Sequence, residues 1–275
     1  MWRQEQESDF RAGDAQGLVI DSLGHLLPGY PKVTDIDLPA LDRIVLASVR
    51  TPGPFFFASE NRIYRRTADS VTLVATLPCT LVTALERDDL SGEIYAATVG
   101  RDGAALYRYK PSETNIDTKV VPLWQSAETS PIVAMASVKG RLYLALSGSG
   151  LVYKLSGKTL DTVFDTMQAR VCSIDYWGQG PLFISCGERG VVLTVDLDND
   201  KIIDQFETGE RFATGAARDR GGNLFVTTCM QGKLLRRDKD GRVETIAISD
   251  AFYRLFYDEQ SDRIYTGDGD RKSVV

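Results

Sequence analysis

Histidine is nearly absent from this chain: His25 is the only one in 275 residues. Imidazole chemistry is confined to one position, and a metal centre built from several histidines is excluded. Cysteine is almost as scarce. Cys79, Cys172, Cys186 and Cys229 form no CxxC pair, so a zinc site of the usual Cys/His kind is not expected. Cys172 and Cys186 flank a tight turn, but the expected hairpin register sets them on opposite faces. All four read as buried or half-buried thiols, behaving as small hydrophobes. An excess of positive charge is missing as well. Lys and Arg number 32 against 38 Asp and Glu, for a net charge of −6 and a pI near 5.0. Binding to a phosphate backbone needs clustered cations, and the dipeptides Arg65-Arg66 and Arg236-Arg237 are too isolated to supply them. No nucleic acid partner is expected. No apolar run reaches the length of about 18 residues that a membrane-spanning helix requires, so no membrane partner is expected either. The opening MWRQEQESDF carries no apolar signal segment. As written the chain is expected in the cytoplasm, or exported if a leader was removed beforehand.

What the chain does have is a repeat. Residues 81–109 supply its template: an apolar segment (LVTAL), a polar turn (RDDLSGE), an alternating segment (IYAAT), a glycine-containing loop (VGRDG) and a second alternating segment (ALYRY). An apolar residue followed by a second large one marks the same place in each repeat. The pairs are Phe55-Phe56, Ile94-Tyr95, Leu142-Tyr143, Leu182-Phe183, Leu224-Phe225 and Ile264-Tyr265. Their second members stand 39, 48, 40, 42 and 40 residues apart, by subtraction. Segments alternating with period two, rich in Val, Ile, Tyr, Phe and Thr, are strands. A period near 40 with such strands is that of a β-propeller blade. The fold class expected is all-β: a six-bladed β-propeller with about four antiparallel strands per blade.

The template places the strands. Innermost strands fall at 44–49, 81–86, 132–138, 171–176, 213–218 and 252–257, and they hold small residues such as Ala84, Ala134, Ser173 and Ala216. Outer strands fall at 71–77, 119–125, 161–165, 201–207 and 242–248. Turns such as RDDLSGE, DRGGN and DEQSD combine Asp, Gly, Ser and Asn, which tolerate tight backbone. Residues 1–40 do not fit the repeat, and the sixth repeat is short. The expected organisation is one domain over 1–275: a lead-in at 1–40, then six repeats over 41–275. Strands near 17–21 and 25–27 would complete the last blade. A seventh blade outside this chain is the alternative.

The segments DLSGEIYAAT with ALYRY, GRLYLAL with LVYKL, and GGNLFVTT with KLLRR resemble the DxxGxLYVxT…GxVYRxD pattern. That pattern is similar to bacterial six-bladed propellers of the broad NHL, gluconolactonase and streptogramin-lyase-like group, over roughly residues 41–270. The resemblance rests on turn and core residues, so it implies a fold and not an activity. Gluconolactonase-like members imply a divalent metal held in the channel by carboxylates and Asn. Here the innermost strands offer only Glu86 and Asp175 as acids. Streptogramin-lyase-like members imply channel histidines, and His25 lies outside the regular blades. The recurring Gly-His and Trp-Asp signature of WD40 repeats is absent.

No catalytic residue, cofactor or metal site is expected. Loops joining blades, and loops between second and third strands, share one end of a propeller, its top face. That end would carry Arg43, Glu60, Arg101, Asp102, Arg170, Glu188, Arg189, Glu210, Arg211, Met230, Asp268, Asp270 and Arg271. Binding residues concentrate on such loops. The candidate site is Arg170, Arg189, Arg211, Glu188, Glu210 and Arg101, in which the guanidinium groups would meet an acidic ligand. A solvated rim with internal pairs, such as Arg189 with Glu210, is the plainer reading. The run 147–150 (SGSG) reads as a hairpin loop, not a phosphate cradle. GDGD at 267–270 offers oxygen ligands but no calcium loop. The functional expectation is a non-enzymatic recognition or scaffold module for a protein, peptide or glycan. The alternative is a hydrolase or lyase with Arg170 or Arg211 stabilising charge and Asp175 or Glu86 as acid or base. If the termini close the ring, deleting residues 1–30 lowers the thermal midpoint of the whole domain; calorimetry of the truncated chain checks this, and an unchanged midpoint removes the closure.

Overall fold

The structure, a computed structural model, describes three short strands at 18–20, 26–28 and 47–49. It also describes residues 55–268 apart from 68–69, 89, 111–120, 129, 231, 250 and 259–261. His25, Arg43, Asp270 and Arg271 lie outside the described residues, as do most of the lead-in and half of GDGD.

The described chain is built of strands, with no helix among them. β1 (Leu18–Ile20) and β2 (Leu26–Pro28) form a hairpin. Four-stranded antiparallel sheets follow in sequence order. The first is β3 (Ala47–Val49), β4 (Phe55–Ser59), β5 (Arg62–Arg66) and β6 (Val71–Thr76). The second is β7 (Leu81–Arg87), β8 (Ile94–Gly100), β9 (Gly103–Tyr109) and β10 (Val121–Ser126). The third is β11 (Ile132–Val138), β12 (Arg141–Leu146), β13 (Leu151–Ser156) and β14 (Thr159–Asp165). The fourth is β15 (Val171–Asp175), β16 (Leu182–Cys186), β17 (Val191–Asp196) and β18 (Lys201–Glu207). The fifth is β19 (Ala213–Arg218), β20 (Leu224–Thr228), β21 (Lys233–Arg237) and β22 (Val243–Ile248). A two-stranded sheet, β23 (Phe252–Asp258) with β24 (Arg263–Asp268), ends the series. β1 lies beside β24, but no ladder joins them.

Two compact units are distinguished: Leu38–Ala216, and Ala217–Val275 with the β1–β2 hairpin. In the first unit, β3, β7, β11 and β15 approach one another in turn, so first strands stand next to first strands. Their small side chains permit it: Ala84, Ala134 and Ser173 are all buried.

Each hydrophobic cluster in that unit spans two neighbouring sheets. Phe56, Ile63 and Leu77 of the first blade pack with Val82, Ile94 and Tyr107 of the second. Tyr95 and Leu106 of the second pack with Ile132 and Leu144 of the third. Tyr143 and Val152 of the third pack with Ile174, Leu182 and Ile184 of the fourth. The markers Phe56, Tyr95 and Tyr143 thus fill inter-blade junctions. Burying one such side chain contributes about 1.5–3 kcal/mol, against roughly 0–1 kcal/mol for an exposed ion pair, so the junctions hold the array together.

Two irregularities recur that strand periodicity does not predict. The first strand of a blade carries a bulge at its start, at Thr83, Val133, Cys172 and Tyr253. The outer strands carry another, for example at Val74, Leu123 and Val163. Bulges bend a strand and increase its twist. At the first of them the Thr83 hydroxyl reaches across to donate to the Ile132 carbonyl at 2.6 Å. Cys172, an extra residue of its bulge, stands beside Val171, the partner of Cys186, and no disulfide joins the two cysteines. Burial pushes the Cys186 thiol up to about 12.

A glycine opens several third strands because there is no room for anything else. A Cβ at Gly150 would lie 1.8 Å from the Gln168 carbonyl oxygen, and one at Gly190 would lie 2.3 Å from that of Glu210. The same contact brings hydrogen bonds. Thr166 donates through both its N–H and its hydroxyl to the Gly150 carbonyl, at 3.0 and 2.7 Å. Val171 N–H donates to Ser149, joining the 147–150 hairpin loop to the next blade.

At the opposite end the tight turns are organised by aspartates. Asp88 accepts from Ser91 N–H at 2.7 Å, Leu90 N–H at 3.0 Å and Tyr95 hydroxyl at 2.9 Å. Tyr257 repeats the device, donating to Asp262 at 2.6 Å. Burial alone would raise the Asp88 pKa, but the bonds from Ser91, Tyr95 and Leu90 outweigh it, and the carboxyl titrates below its ordinary value.

Two outcomes follow from these contacts. Gly150→Ala is expected to cost about 1–3 kcal/mol, since backbone would have to shift. Gly100→Ala, where the nearest atom would be 3.4 Å away, is expected to be near neutral; chemical denaturation of both variants checks it. A carboxylate with a depressed folded pKa stabilises fully above its unfolded value of about 3.9 and loses that contribution as pH falls through the folded one. Asp88→Asn is therefore expected to reduce stability at pH 7 and to flatten the acid limb of a stability–pH profile.

Candidate functional site

The inter-blade loops and the second-to-third-strand loops share one end of each blade. At the junction of the fourth blade with β19 this end carries a compact cationic–aromatic cluster. Its centre is Phe212, which immediately precedes β19. The Arg170 guanidinium carbon stands 5.4 Å from the Phe212 ring centroid and that of Arg211 stands 5.3 Å away. Both distances are within the range of cation–π attraction.

Gly187 forms the floor. A Cβ there would lie 2.6 Å from Arg170 Cγ and 3.0 Å from Phe212 Cδ1, so the Arg170 stem and the aromatic edge rest directly on its backbone. Gly187 N–H also donates to the Arg170 carbonyl at 3.0 Å. The loop backbones are strained. Phe212 has φ 56°, Glu188 64° and Met167 54°, a region that bulky residues rarely adopt. Strain held by surrounding contacts concentrates at functional loops.

The cluster is accessible. The side chains of Arg170 and Glu188 are 49% and 50% exposed, and their ion pair is loose at 3.8 Å. Met167, three residues before Arg170, is 83% exposed.

The six expected site residues do not form one group. Arg170, Arg211 and Glu188 gather around Phe212. Arg189 does not pair with Glu210: it donates to Glu207 at 2.7 Å. The hairpin register explains this, because Val191 stands opposite Glu207 and so brings the end of β18 beside Arg189. Glu210 instead has its N–H bonded to the Thr208 hydroxyl at 3.1 Å, with its carbonyl over Gly190. Arg101 stands on the second blade, in the β8–β9 turn. Phe212 is the residue that loop charge could not reveal. Its signal is an aromatic in the last position before an inner strand, where earlier repeats hold Thr80, Pro131 and Arg170.

The inner-strand acids are tied into the scaffold. Asp175 is buried and accepts from the Ser173 hydroxyl at 2.7 Å and from Ala216 N–H at 3.0 Å. Trp177 completes this junction, donating its ring N–H to the Ala216 carbonyl at 2.9 Å. Glu86 accepts from Ser137 N–H on β11 at 3.4 Å. Among the described residues no three of His, Cys, Asp and Glu are grouped to hold a metal ion.

No protein-family model matches the chain. No curated protein matches it either. Its fold, however, is that of several solved structures. One is a catalytically inactive histidine-to-alanine variant of virginiamycin B lyase from Staphylococcus aureus with quinupristin, at TM-score 0.70 and 15% identity, covering 88% of this chain and 83% of that one. Another is an auxiliary nutrient binding protein from Bacteroides thetaiotaomicron, at TM-score 0.59 and 11% identity, covering 82% and 66%. A third is the WD40 β-propeller domain of Doa1, at TM-score 0.53 and 10% identity, covering 83% and 91%. Likeness at such identities establishes architecture alone: the chain is an all-β protein of repeated four-stranded antiparallel blades, with the fold of a β-propeller.

Proposed function

We propose that this chain is a non-enzymatic recognition or scaffold module, binding a protein, peptide or glycan that presents carboxylates to the top face. The observation that carries this reading is the pair of half-exposed guanidinium groups, Arg170 and Arg211, set around one aromatic ring. Their planes match carboxylates bidentately. Ring contact holds them in place, so less side-chain freedom is lost on binding. Glu188 and Glu210 border the group, with Arg189 on the same loop as Glu188 and Arg101 apart from them on the second blade. In this reading the chain is one domain of six blades, the last completed by β1–β2 beside β23–β24.

The hydrolase or lyase reading needs an ionisable group free to move a proton. Asp175 and Glu86, the acids that reading names, accept backbone hydrogens from neighbouring first strands, and Asp175 a further one from the Ser173 hydroxyl. The recognition reading is preferred for that reason.

Arg170→Ala with Arg211→Ala is expected to weaken binding of a pulled-down partner by about 1–3 kcal/mol. The thermal midpoint should barely change, because exposed pairs contribute little. Titration of wild type and double variant at equal salt checks it; equal affinities overturn this site.

A further inference from the structure

A second concavity lies wholly within the Leu38–Ala216 unit, on the second blade. It is a cleft of about 690 Å³ between the loop at 78–80, the turn at 100–103 and the end of β10. Small-molecule sites occupy roughly 300–1,000 Å³, so it holds one or two sugar-sized rings. Among its described lining residues only Arg101 and Asp102 are charged, adjacent and opposite in sign. The described wall therefore carries no net charge and offers no excess of cations for a phosphate.

Its remaining polar groups are hydroxyls and an amide. Thr80, Thr98, Tyr107, Gln125 and Ser126 all face the space. Their capacity is only partly used. The buried Thr98 hydroxyl is taken up within the wall, donating to the Ala105 carbonyl at 3.2 Å and bonding with Cys79. The Ser126 hydroxyl accepts from Glu128 N–H at 3.1 Å and retains its proton to donate. A hydroxyl combines one donor with two acceptor sites, and such mixed groups complement ligands whose own groups are hydroxyls.

The rest of the lining is small, chiefly Gly100, Gly103, Ala104 and Ala127. It gives no recess for a large apolar side chain, which argues against a peptide. Cys79 stands at the rim, but burial pushes its thiol up to about 11 despite hydrogen bonds from Leu81 and Thr98. At neutral pH it is a protonated thiol, and the thiolate is the nucleophile. The cleft is thus equipped for binding and not for covalent chemistry.

We infer that the cleft between loop 78–80, turn 100–103 and the end of β10 binds a neutral saccharide of one or two pyranose rings. The side chains of Gln125 and Asp102 engage its hydroxyls. This site is independent of the Arg170–Phe212–Arg211 cluster and requires no acidic ligand.

The test is saturation-transfer NMR on the full chain. The probes are the methyl glycosides of glucose, galactose, mannose and N-acetylglucosamine, with maltose, cellobiose and lactose. At least one probe should receive saturation at its ring protons, with a dissociation constant that titration can follow. Asp102 and Gln125 are exposed, so Asp102→Ala with Gln125→Ala should leave the fold intact while weakening that probe at least tenfold. Ala127→Trp, also at an exposed position, should abolish the signal by filling the cleft. Arg170→Ala with Arg211→Ala should leave it unchanged, which separates this site from the top-face cluster. The inference is overturned if no sugar receives saturation, if the signal survives Ala127→Trp, or if N-acetylated dipeptide amides bind in place of the sugars.

Discussion

A four-stranded sheet of this chain cannot bury its own apolar faces. Tyr143 and Val152 of the third blade reach their full environment only against Leu182 and Ile184 of the fourth. Leu106 of the second blade likewise shares a cluster with Ile132 and Leu144 of the third. This is the constraint on which the rest depends. Stability is shared between neighbours, as in other stacked repeat architectures. The blade junction must therefore be close and fixed in register. Small residues on the first strands permit the closeness, and inter-blade hydrogen bonds such as Thr83 to Ile132 fix the register.

The same constraint shapes the loops. For neighbouring sheets to meet, the segment leaving one outer strand must pass directly over the start of a third strand. At Gly150 and Gly190 that passage leaves no space for a Cβ. The crossing segments then turn into the next first strand with little freedom, and bulky residues are held at positive φ, as at Met167 and Phe212. The top-face side chains thus stand on backbone fixed by core packing. That is the condition under which loop residues recognise a partner without first being ordered.

Much of this was legible in the sequence, for a physical reason. A strand buried on both faces shows its apolar pairs plainly, so markers such as Ile94-Tyr95 and Leu182-Phe183 located their strands. The bounds of β11, β18 and β19 came out as expected. Bulges were not legible, because an extra residue such as Thr83 or Val133 leaves composition unchanged and alters only hydrogen-bond register. The partner of Arg189 was missed for a related reason. Sequence proximity favours Glu210, whereas the β17–β18 register delivers Glu207. Phe212 was hidden because an aromatic residue reads as core, and only its position before β19 sets it among the arginines. Roles for Asp175 and Glu86 depended on neighbours far along the chain, Ala216 and Ser137, which no local pattern names.

Charge places a further condition on the proposed recognition. With a net charge of −6, the chain as a whole repels an acidic partner at long range. At physiological ionic strength that repulsion is screened beyond about 8 Å, whereas Arg170 and Arg211 act at contact distance. Their effect should therefore fall on the lifetime of a complex more than on its rate of encounter, since steering arises from the summed field and bidentate pairing from local geometry. Specificity would then lie in the spacing that Phe212 imposes between the two guanidinium groups. A ligand with one carboxylate can satisfy only one of them. A ligand with two carboxylates at matching separation engages both and displaces the loose Glu188 contact, which at 3.8 Å offers little resistance.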